Sequence, residues 1–253
     1  MAITVVGIGP GHLEGMTGEA VSALGACDTV VGYTAYVDLV RPHFPDKRYL
    51  QTGMRGEEAR CALAVAEAAA GHAVCVVCSG DAGVYGLAGL VMVLAQEAGV
   101  PVRVVPGVTA ALSGAALLGA PLVHDFACVS LSDLLTPWET IAARLDAAAR
   151  ADFVLCLYNP MSHKRRDHLP RACDIILRHR AAGTLCGLAW NIGREGEGTR
   201  ILTLGELRDT QVDMFTTVFI GNRETRRVGD SLVTPRGYEM GRDRAFGRTS
   251  KKR

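Results

Sequence analysis

This chain of 253 residues has almost no excess charge, and its net charge of +1 gives no sign of a nucleic-acid or membrane-surface partner. No stretch reaches the roughly 18 apolar residues that a membrane-spanning helix needs without meeting a charge or a helix breaker. The first residues carry no basic segment of the kind that opens a signal peptide. We therefore expect a cytoplasmic protein that binds neither nucleic acid nor membrane.

Familiar catalytic motifs are also missing. The chain has no HExxH zinc motif, no serine-hydrolase elbow and no kinase signature. The glycine-rich start "ITVVGIGPGHLEGMT" lacks the third glycine of a dinucleotide fingerprint, because His12 stands there, and Pro10 removes a backbone donor from the turn. No G-K-[ST] follows, so a P-loop is excluded. A nicotinamide site is disfavoured, and a tight turn that binds no ligand stays open.

The eight cysteines give no metal site and no disulfide framework. Cys75 and Cys78 form a C-x-x-C, but they lie in the predicted strand "HAVCVVCSGD", where residues three apart point to opposite faces. The other cysteines lie in apolar runs, as small core residues often do. We expect a reducing compartment and no bound metal.

What the chain does have is a regular alternation of strand-like and helix-like segments, with 29 glycines for the turns between them. This pattern predicts the α/β class, as two α/β domains with mainly parallel central sheets around a cleft. We place the domains at residues 1–120 and 121–240, with the seam near 119–124. The basic segment 241–253 is predicted to be a disordered tail, because no aromatic series or binding motif accompanies its charges.

The predicted strands end in loops of small and polar residues. In the first half these loops are "GIGPG", "SGDAGVY" and "PGVTAA", and in the second half they are "SLSD", "LYNPMSHKR", "WNIGREGEG" and "IGN". Ligands of open α/β sheets bind beyond the carboxyl ends of the strands. Asp81 in the second of these loops is predicted to accept hydrogen bonds from a ribose or an amine, or to act as a helix N-cap.

Longer motifs carry a resemblance to a known family. "VGIGPGHLEGMT", "VCSGDAGVYG" and "VPGVTAALSGAALLGAPLVHDF" resemble successive signatures of the tetrapyrrole methylases, the S-adenosylmethionine-dependent enzymes of corrin and sirohaem synthesis. The resemblance spans roughly residues 2–240. "SLSDLLTPW", "LYNPMSHKR", "NIGREGE", "DMFTTVFIGN" and "TPRGYE" resemble the branch that methylates carbon 17 of precorrin-3B and contracts the ring in cobalamin synthesis. The resemblance implies a fold of two domains around a deep cleft and a homodimer. It also implies that S-adenosylmethionine is held largely by backbone atoms and small residues.

The resemblance also implies site residues. The expected cofactor contacts are Pro10, Ser79, Gly80, Asp81, Val84, Thr109, Ala110, Tyr158, Asn159, Asn191 and Thr216. The family has a proline where this chain has Ala82, which should leave the Asp81 contact intact. A macrocycle rimmed with carboxylates favours arginine partners, although each arginine taken alone is more typical of a solvated surface. The expected substrate contacts are Gly9, Gly11, Arg55, Ser130, Arg165 and Arg194.

Ring contraction would be helped by a base near a hydroxyl group of the macrocycle. Asp133 and Ser132 are the candidates, and His124 and Asp125 are weaker ones. Asp133 is equally typical of a turn or an N-cap, and the substrate's own carboxylates are an alternative base. The sequence leaves open whether the substrate is metal-free or carries cobalt. It also leaves open a methylase of another macrocycle carbon, and a binding module without catalysis.

The opening stretch gives one geometric expectation. Gly9, Pro10 and Gly11 should face the cleft, across from the loop that carries Asp81.

Overall fold

The computed structural model describes residues 1–162 and 165–237, so the predicted tail at 241–253 lies outside the described residues. The elements of the first half are β1 Ile3–Gly7, α1 Gly18–Ala26, β2 Thr29–Tyr33, α2 Thr34–Val40, β3 Arg48–Thr52, α3 Glu57–Ala69, β4 Val74–Cys78, α4 Ala88–Glu97, β5 Val102–Val105 and α5 Ala110–Leu118. Those that follow are β6 Gly119–Ala120, β7 Phe126–Ser130, α6 Trp138–Arg150, β8 Val154–Tyr158, α7 His168–Ile176, β9 Leu185–Trp190, β10 Gly198–Thr203, α8 Leu204–Arg208, β11 Thr216–Ile220, β12 Arg226–Val228 and β13 Ser231–Val233. The predicted α/β class is confirmed.

The first sheet is parallel throughout, with strand order β3-β2-β4-β1-β5. Its two faces are covered by different helices, as a parallel sheet requires. Cys75 packs in the cluster with α1 and α2, whereas Cys78 packs in the cluster with α3 and α4. The prediction that these two thiols point to opposite faces is therefore confirmed. Thr17 caps α1 as predicted, its side chain accepting a hydrogen bond from the Ala20 N–H.

The second sheet departs from the expected parallel arrangement. Its order is β10-β9-β11-β8-β7, and only β7 and β8 run parallel to each other. The β9–β10, β9–β11 and β8–β11 pairs are antiparallel. The β9–β10 pair is antiparallel because the short turn at 191–197 joins the two strands and leaves no room for a crossover helix.

Helix α5 connects the two halves through its packing. Ala111, Ala115 and Leu118 on its buried face contact Cys156 and Phe219 of the second sheet. The predicted domain boundary after residue 120 assigns this helix to the first half, but its apolar face packs on the second sheet. The loop that enters α5 from β5 is therefore held between both sheets, beside the strand ends that form the cleft.

Candidate functional site

Three loops of the first sheet meet through their backbones. Gly9 and Gly80 exchange hydrogen bonds of 3.0 Å and 2.8 Å, with positive φ angles of 64° and 67°. A Cβ atom on Gly107 would lie 2.1 Å from the Gly80 oxygen and 2.5 Å from the Gly7 oxygen. Only glycine permits this approach. We call the meeting point of Gly7, Gly80 and Gly107 the glycine junction.

Asp81 holds this junction together through hydrogen bonds to the backbone. Its Oδ1 accepts hydrogen bonds from the N–H groups of Gly83 (2.8 Å) and Val84 (3.1 Å), and its Oδ2 accepts one from the Gly107 N–H (2.9 Å). Both carboxylate oxygens are thus used by the backbone, and Asp81 is not among the residues that line the cleft. These hydrogen bonds give Asp81 a structural role close to the capping alternative, and its expected contact with a cofactor stays a prediction.

Beside the junction lies a cavity of about 200 Å³, which we call the first cavity. Every expected cofactor residue except Asp81 lines it. Of the expected substrate residues, Gly9 and Arg194 line it. The lining is made mostly of small, neutral and aromatic residues from the loops of both halves. Its further members are Tyr36, Tyr85, Ser113, Ile192, Met214, Phe215 and Thr217.

The second half reaches this cavity through the ends of β8 and β9. Asn159 and Asn191 follow these strands with φ angles of 53° and 49°, a backbone conformation that non-glycine residues adopt rarely, with asparagine among the exceptions. The Asn159 amide donates to Ser130 Oγ at 2.9 Å, so Ser130 supports the cavity from behind without lining it. These loops turn back sharply, and the turn directs the two asparagines into the cleft.

Tyr158 joins the end of β8 to the start of α5. Its hydroxyl accepts a hydrogen bond from the Ala111 N–H at 2.7 Å and lies 2.7 Å from Thr109 Oγ1. Burial raises the pKa of Tyr158 to about 12, so the side chain is a neutral phenol at physiological pH. Tyr85 from the first half packs on its ring with centroids 5.0 Å apart.

Arg194 reaches across the cleft from the loop after β9. Its Nε donates to the Pro10 carbonyl at 3.2 Å, and its Nη2 donates to Ser79 Oγ at 2.9 Å. Gly11 is buried beneath it, since a Cβ there would lie 3.2 Å from Arg194 Nε. Burial lowers the pKa of Arg194, although the group stays cationic at neutral pH. No carboxylate of residues 1–162 or 165–237 forms an ion pair with it.

The expectation for the opening stretch is met in part. Gly9 and Pro10 line the first cavity, whereas Gly11 lies under Arg194. The loop of Asp81 is hydrogen-bonded directly beside Gly9 through Gly80, and does not face it from the opposite wall.

A second cavity of about 210 Å³ adjoins the first. Tyr36, Ser79, Tyr85 and Met214 line both. The other residues of the second cavity are Tyr33, Met54, Glu57, Arg60, Val77, Cys78, Gly86 and Leu87. Apart from Ser79, none of the described site residues predicted from the sequence lines this cavity. Tyr33 ends β2, so the rule that ligands bind beyond strand ends would have pointed to it.

The remaining expected residues lie outside the lining of both cavities. Arg55 is exposed, with a φ of 64°, next to Met54 at the rim of the second cavity. The Ser132 N–H donates to Ser130 Oγ at 3.3 Å. His124 and Asp125 are exposed neighbours at the seam.

Asp133 forms a charged group with His168 and Arg165. Its Oδ2 lies 3.1 Å from His168 Nε2, at an angle outside normal hydrogen-bond geometry, and its Oδ1 lies 4.0 Å from an Arg165 nitrogen. Desolvation acts to raise the pKa of Asp133, but His168 and Arg165 together hold it below its ordinary value. Asp133 is therefore a carboxylate at neutral pH, with a basic partner already in place.

The described residues show neither a metal-binding cluster nor a helix that could span a membrane. Within 1–162 and 165–237, no group of three or more histidines, cysteines or acidic residues is arranged to hold a metal ion. Across the same ranges, every helix is too short or too polar to cross a bilayer.

Comparison with known proteins agrees with this architecture. The profile of the family described as Tetrapyrrole (Corrin/Porphyrin) Methylases matches residues 2–208. The chain is 47% identical over 240 residues to a probable cobalt-factor III C(17)-methyltransferase of Salmonella typhimurium, covering 94% of this chain and all of that protein. It is 40% identical over 244 residues to the precorrin-3B C(17)-methyltransferase of a Sinorhizobium species, covering 92% of this chain and 96% of that protein.

A solved structure supports the same relationship. The crystal structure of the methyltransferase CobJ superposes with a TM-score of 0.86 at 37% identity, covering 92% of this chain and 99% of that one. The resemblance of the sequence motifs is thus confirmed over nearly the whole chain. This chain belongs to the tetrapyrrole methylase family.

Proposed function

We propose that this protein transfers a methyl group from S-adenosylmethionine to carbon 17 of a cobalamin precursor, cobalt-factor III or precorrin-3B, and that the macrocycle then contracts. The observation that carries the proposal is similarity along the full length to two relatives named C(17)-methyltransferases, with 100% and 96% of those proteins covered. The runner-up is methylation of another carbon of the same class of macrocycle.

The first cavity fits the methyl donor. When bound, S-adenosylmethionine supplies an electrophilic methyl group on a good leaving group, so the protein chiefly has to align the reactants and exclude water. Backbone groups of the Gly9, Gly80 and Thr109 loops and neutral side chains surround this space. A Cβ on Gly80 would lie 3.5 Å from Thr109 Cα, so a side chain at this position would occupy the space between these two loops. Among the described residues, the lining contains no carboxylate to act as a competing nucleophile.

The acceptor would enter from the second cavity. Ser79 and Tyr36 line both cavities, so an acceptor in the second lies directly beside a donor in the first. Arg194 stands in the first cavity as a cation without an acidic partner among the described residues, which suits a ligand that carries carboxylates. Arg55 at the rim remains a proposed contact for the same reason.

Ring contraction needs the loss of a proton from the hydroxyl on a bridging carbon of the macrocycle. A carbon–carbon bond then migrates, and the bridging carbon leaves the ring as an acetyl substituent. Asp133 and Ser132 stay the proposed bases from the sequence, but Asp133 is engaged with His168 and lies outside both cavities. A carboxylate of the substrate is therefore the alternative that we favour.

We also propose that the protein is a cytoplasmic homodimer with domains at 1–120 and 121–240. Support for self-association comes from Met92 and Val93 on α4 and Val104 on the neighbouring edge strand β5, which are apolar and exposed. Exposed apolar side chains grouped in this way are typical of interaction surfaces. Light scattering after gel filtration should give twice the mass of the chain, and a monomer would contradict the proposal.

The activity is tested by incubating the purified protein with S-adenosylmethionine labelled on its methyl group and with either cobalt-factor III or hydroxylated precorrin-3B. We expect one labelled methyl group on carbon 17 of one or both substrates, located by mass spectrometry and NMR. Label on a different carbon would favour the runner-up. Label without an acetyl-bearing contracted ring would remove ring contraction from the proposal, and no label on either substrate would overturn it.

A further inference from the structure

Arg60 is a buried charge that none of the preceding roles explains. It lies in the first turn of α3, is only 4% exposed, and lines the second cavity. Taking a guanidinium out of water is costly unless the group is paired and hydrogen-bonded. A charge kept at such a position therefore calls for a partner.

The contacts of Arg60 leave much of its binding capacity unused. One Nη2 hydrogen bond goes to the Gly53 carbonyl at 3.0 Å, and the guanidinium carbon lies 5.8 Å from the centre of the Tyr33 ring. Its buried Nε has no hydrogen-bond partner among the described residues. Glu57 lines the same cavity one turn earlier, but its carboxylate is not within 4.0 Å and forms no ion pair with Arg60.

Arg180 shows how this protein buries an arginine for structure alone. It is 8% exposed, and it too has an unpartnered Nε. Its two terminal nitrogens, however, donate to the carbonyls of Gly221 and Phe153, and neither cavity adjoins it. The backbone thus takes up the charge of Arg180, whereas the open side of Arg60 is a cavity.

We propose that Arg60 binds a carboxylate of the acceptor in the second cavity; this inference rests on the proposed function. The planar fork of a guanidinium matches a carboxylate in bidentate fashion. The rings of Tyr33 and Tyr36 provide apolar walls around the carboxylate-bearing side chain of the bound acceptor. At about 210 Å³ the cavity is smaller than the ~300–1,000 Å³ of a typical small-molecule site, so it suits one carboxylate-bearing arm with the neighbouring ring edge.

The competing assignment gives Arg60 the carboxylate of the methyl donor, because the two cavities share four residues. The two assignments differ in which ligand loses affinity when the charge is removed. Arg60→Met removes the charge and keeps the aliphatic stem, and Arg60→Lys keeps a charge without the fork. Arg48→Met is the matched control, because Arg48 is an exposed arginine of the same half that pairs with Glu67.

The test measures the Kd of cobalt-factor III by absorbance titration and the Kd of S-adenosylhomocysteine by calorimetry for each protein. We expect Arg60→Met to raise the Kd of cobalt-factor III about 10- to 100-fold, the usual effect of losing a charged hydrogen bond. Arg60→Lys should fall between it and the wild type. The Kd of S-adenosylhomocysteine should change less than about two-fold in all three variants, well below the effect of one charged hydrogen bond.

Several results would overturn the inference. An unchanged Kd for cobalt-factor III with Arg60→Met would do so, as would a loss confined to S-adenosylhomocysteine. If the wild type binds and methylates the acceptor but the Arg60 variants bind it equally well, the proposed function survives and this inference alone fails. If the wild type binds no acceptor, both fail.

Thermal denaturation distinguishes a binding role of Arg60 from a role in the stability of the fold. Because the charge of Arg60 lacks an ionic partner, Arg60→Met should leave the Tm unchanged or raise it, whereas Arg180→Met should lower it by several degrees. A Tm of Arg60→Met that falls as far as that of Arg180→Met would mark Arg60 as a structural arginine and contradict the inference.

Discussion

The two adjoining cavities of the cleft are built in different ways. The first is formed by loops that meet through backbone atoms at the glycine junction, and Arg194, its one charged lining residue within the described chain, is already hydrogen-bonded to Pro10 and Ser79. The second is walled by tyrosines and contains Arg60, whose charge lacks an ionic partner among the described residues. The first cavity is fixed by close backbone contacts, whereas the second contains a buried charge that has no ionic partner among the described residues.

This difference shows how one cleft can hold two ligands of different chemistry. A cavity formed by close backbone contacts, whose one charged side chain is hydrogen-bonded to the protein, binds chiefly through shape and backbone groups. A cavity with an unpaired buried cation is less stable when empty and favours an anion. Changes to the first cavity should therefore affect the methyl donor, and changes to the second should affect the acceptor.

The largest effect is expected from Gly107→Ala, which breaks the glycine junction under the first cavity. The added Cβ would meet two backbone oxygens at 2.1 and 2.5 Å, and backbone cannot yield as a side-chain tip can. We expect a loss of roughly 3 kcal/mol or more in the free energy of unfolding, because overpacking of this kind strains the fold. Denaturant unfolding measures it, and S-adenosylhomocysteine should no longer raise the Tm.

The matched control for this change is Gly89→Ala in α4, where the new Cβ would meet nothing within 4 Å. It should be neutral or stabilise the protein by up to about 1 kcal/mol, since alanine is the better helix former. Wild-type stability of Gly107→Ala would show that the junction is not as tight as its distances indicate.

Asp81→Ala should have the next largest effect, because it removes the acceptor of three backbone N–H groups beneath the first cavity. We expect a loss of about 2 kcal/mol in stability, as is usual when hydrogen bonds to a charged group are lost. The Tm increase with S-adenosylhomocysteine should shrink through loosening of the loop. Asp230→Ala, at a fully exposed aspartate, should change the stability by less than about 0.5 kcal/mol. Equal stability of the two variants would argue against a role for Asp81 in the junction.

Arg194→Met tests the boundary between the two cavities. It removes hydrogen bonds to Pro10 and to Ser79, and Ser79 lines both cavities. We expect kcat/KM with cobalt-factor III to fall about 10- to 100-fold, the cost of hydrogen bonds to a charged group. Both ligands should bind more weakly, in contrast to Arg60→Met. Weaker binding of one ligand only would show that Arg194 serves that ligand alone.

The smallest effect is expected from Asp133→Asn, outside both cavities. The pKa of Asp133 is held below its ordinary value by His168 and Arg165, against desolvation, so this carboxylate stabilises the fold above its unfolded pKa near 3.8. That stability is lost as the pH falls through the lower folded pKa. Because the group is more than one-third exposed, we expect less than about 1 kcal/mol after solvent screening. The variant should therefore lose slightly less stability than the wild type during acid titration below about pH 4.

Both ligand affinities of Asp133→Asn should match those of the wild type. A methylated but uncontracted product from this variant would instead identify Asp133 as the base of ring contraction.

The sequence predicted the first cavity better than the second for a physical reason. Glycine-rich turns and strand ends are local features, so Gly80, Thr109 and Asn159 could each be placed in a loop that follows a strand. Arg60 follows two exposed glutamates in an Ala-rich helix, where an arginine is typical of a solvated face. Only the packing of α3 shows that its side chain points inward.

Long-range pairing accounts for the other departures. The antiparallel order of the second sheet depends on which strands meet, and the alternation of strands and helices does not specify it. The role of Asp81 was open for a similar reason. A carboxylate in a glycine-rich loop is suited both to a ligand and to backbone N–H groups, and its hydrogen bond to Gly107, 26 residues away along the chain, cannot be read from the loop alone.

The most direct test of the division between the cavities is a crystal structure of the protein with S-adenosylhomocysteine. We expect the ligand to lie in the first cavity, against Gly80 and Tyr158, and to make no contact with the guanidinium of Arg60. A ligand seated in the second cavity with its carboxylate on Arg60 would contradict it.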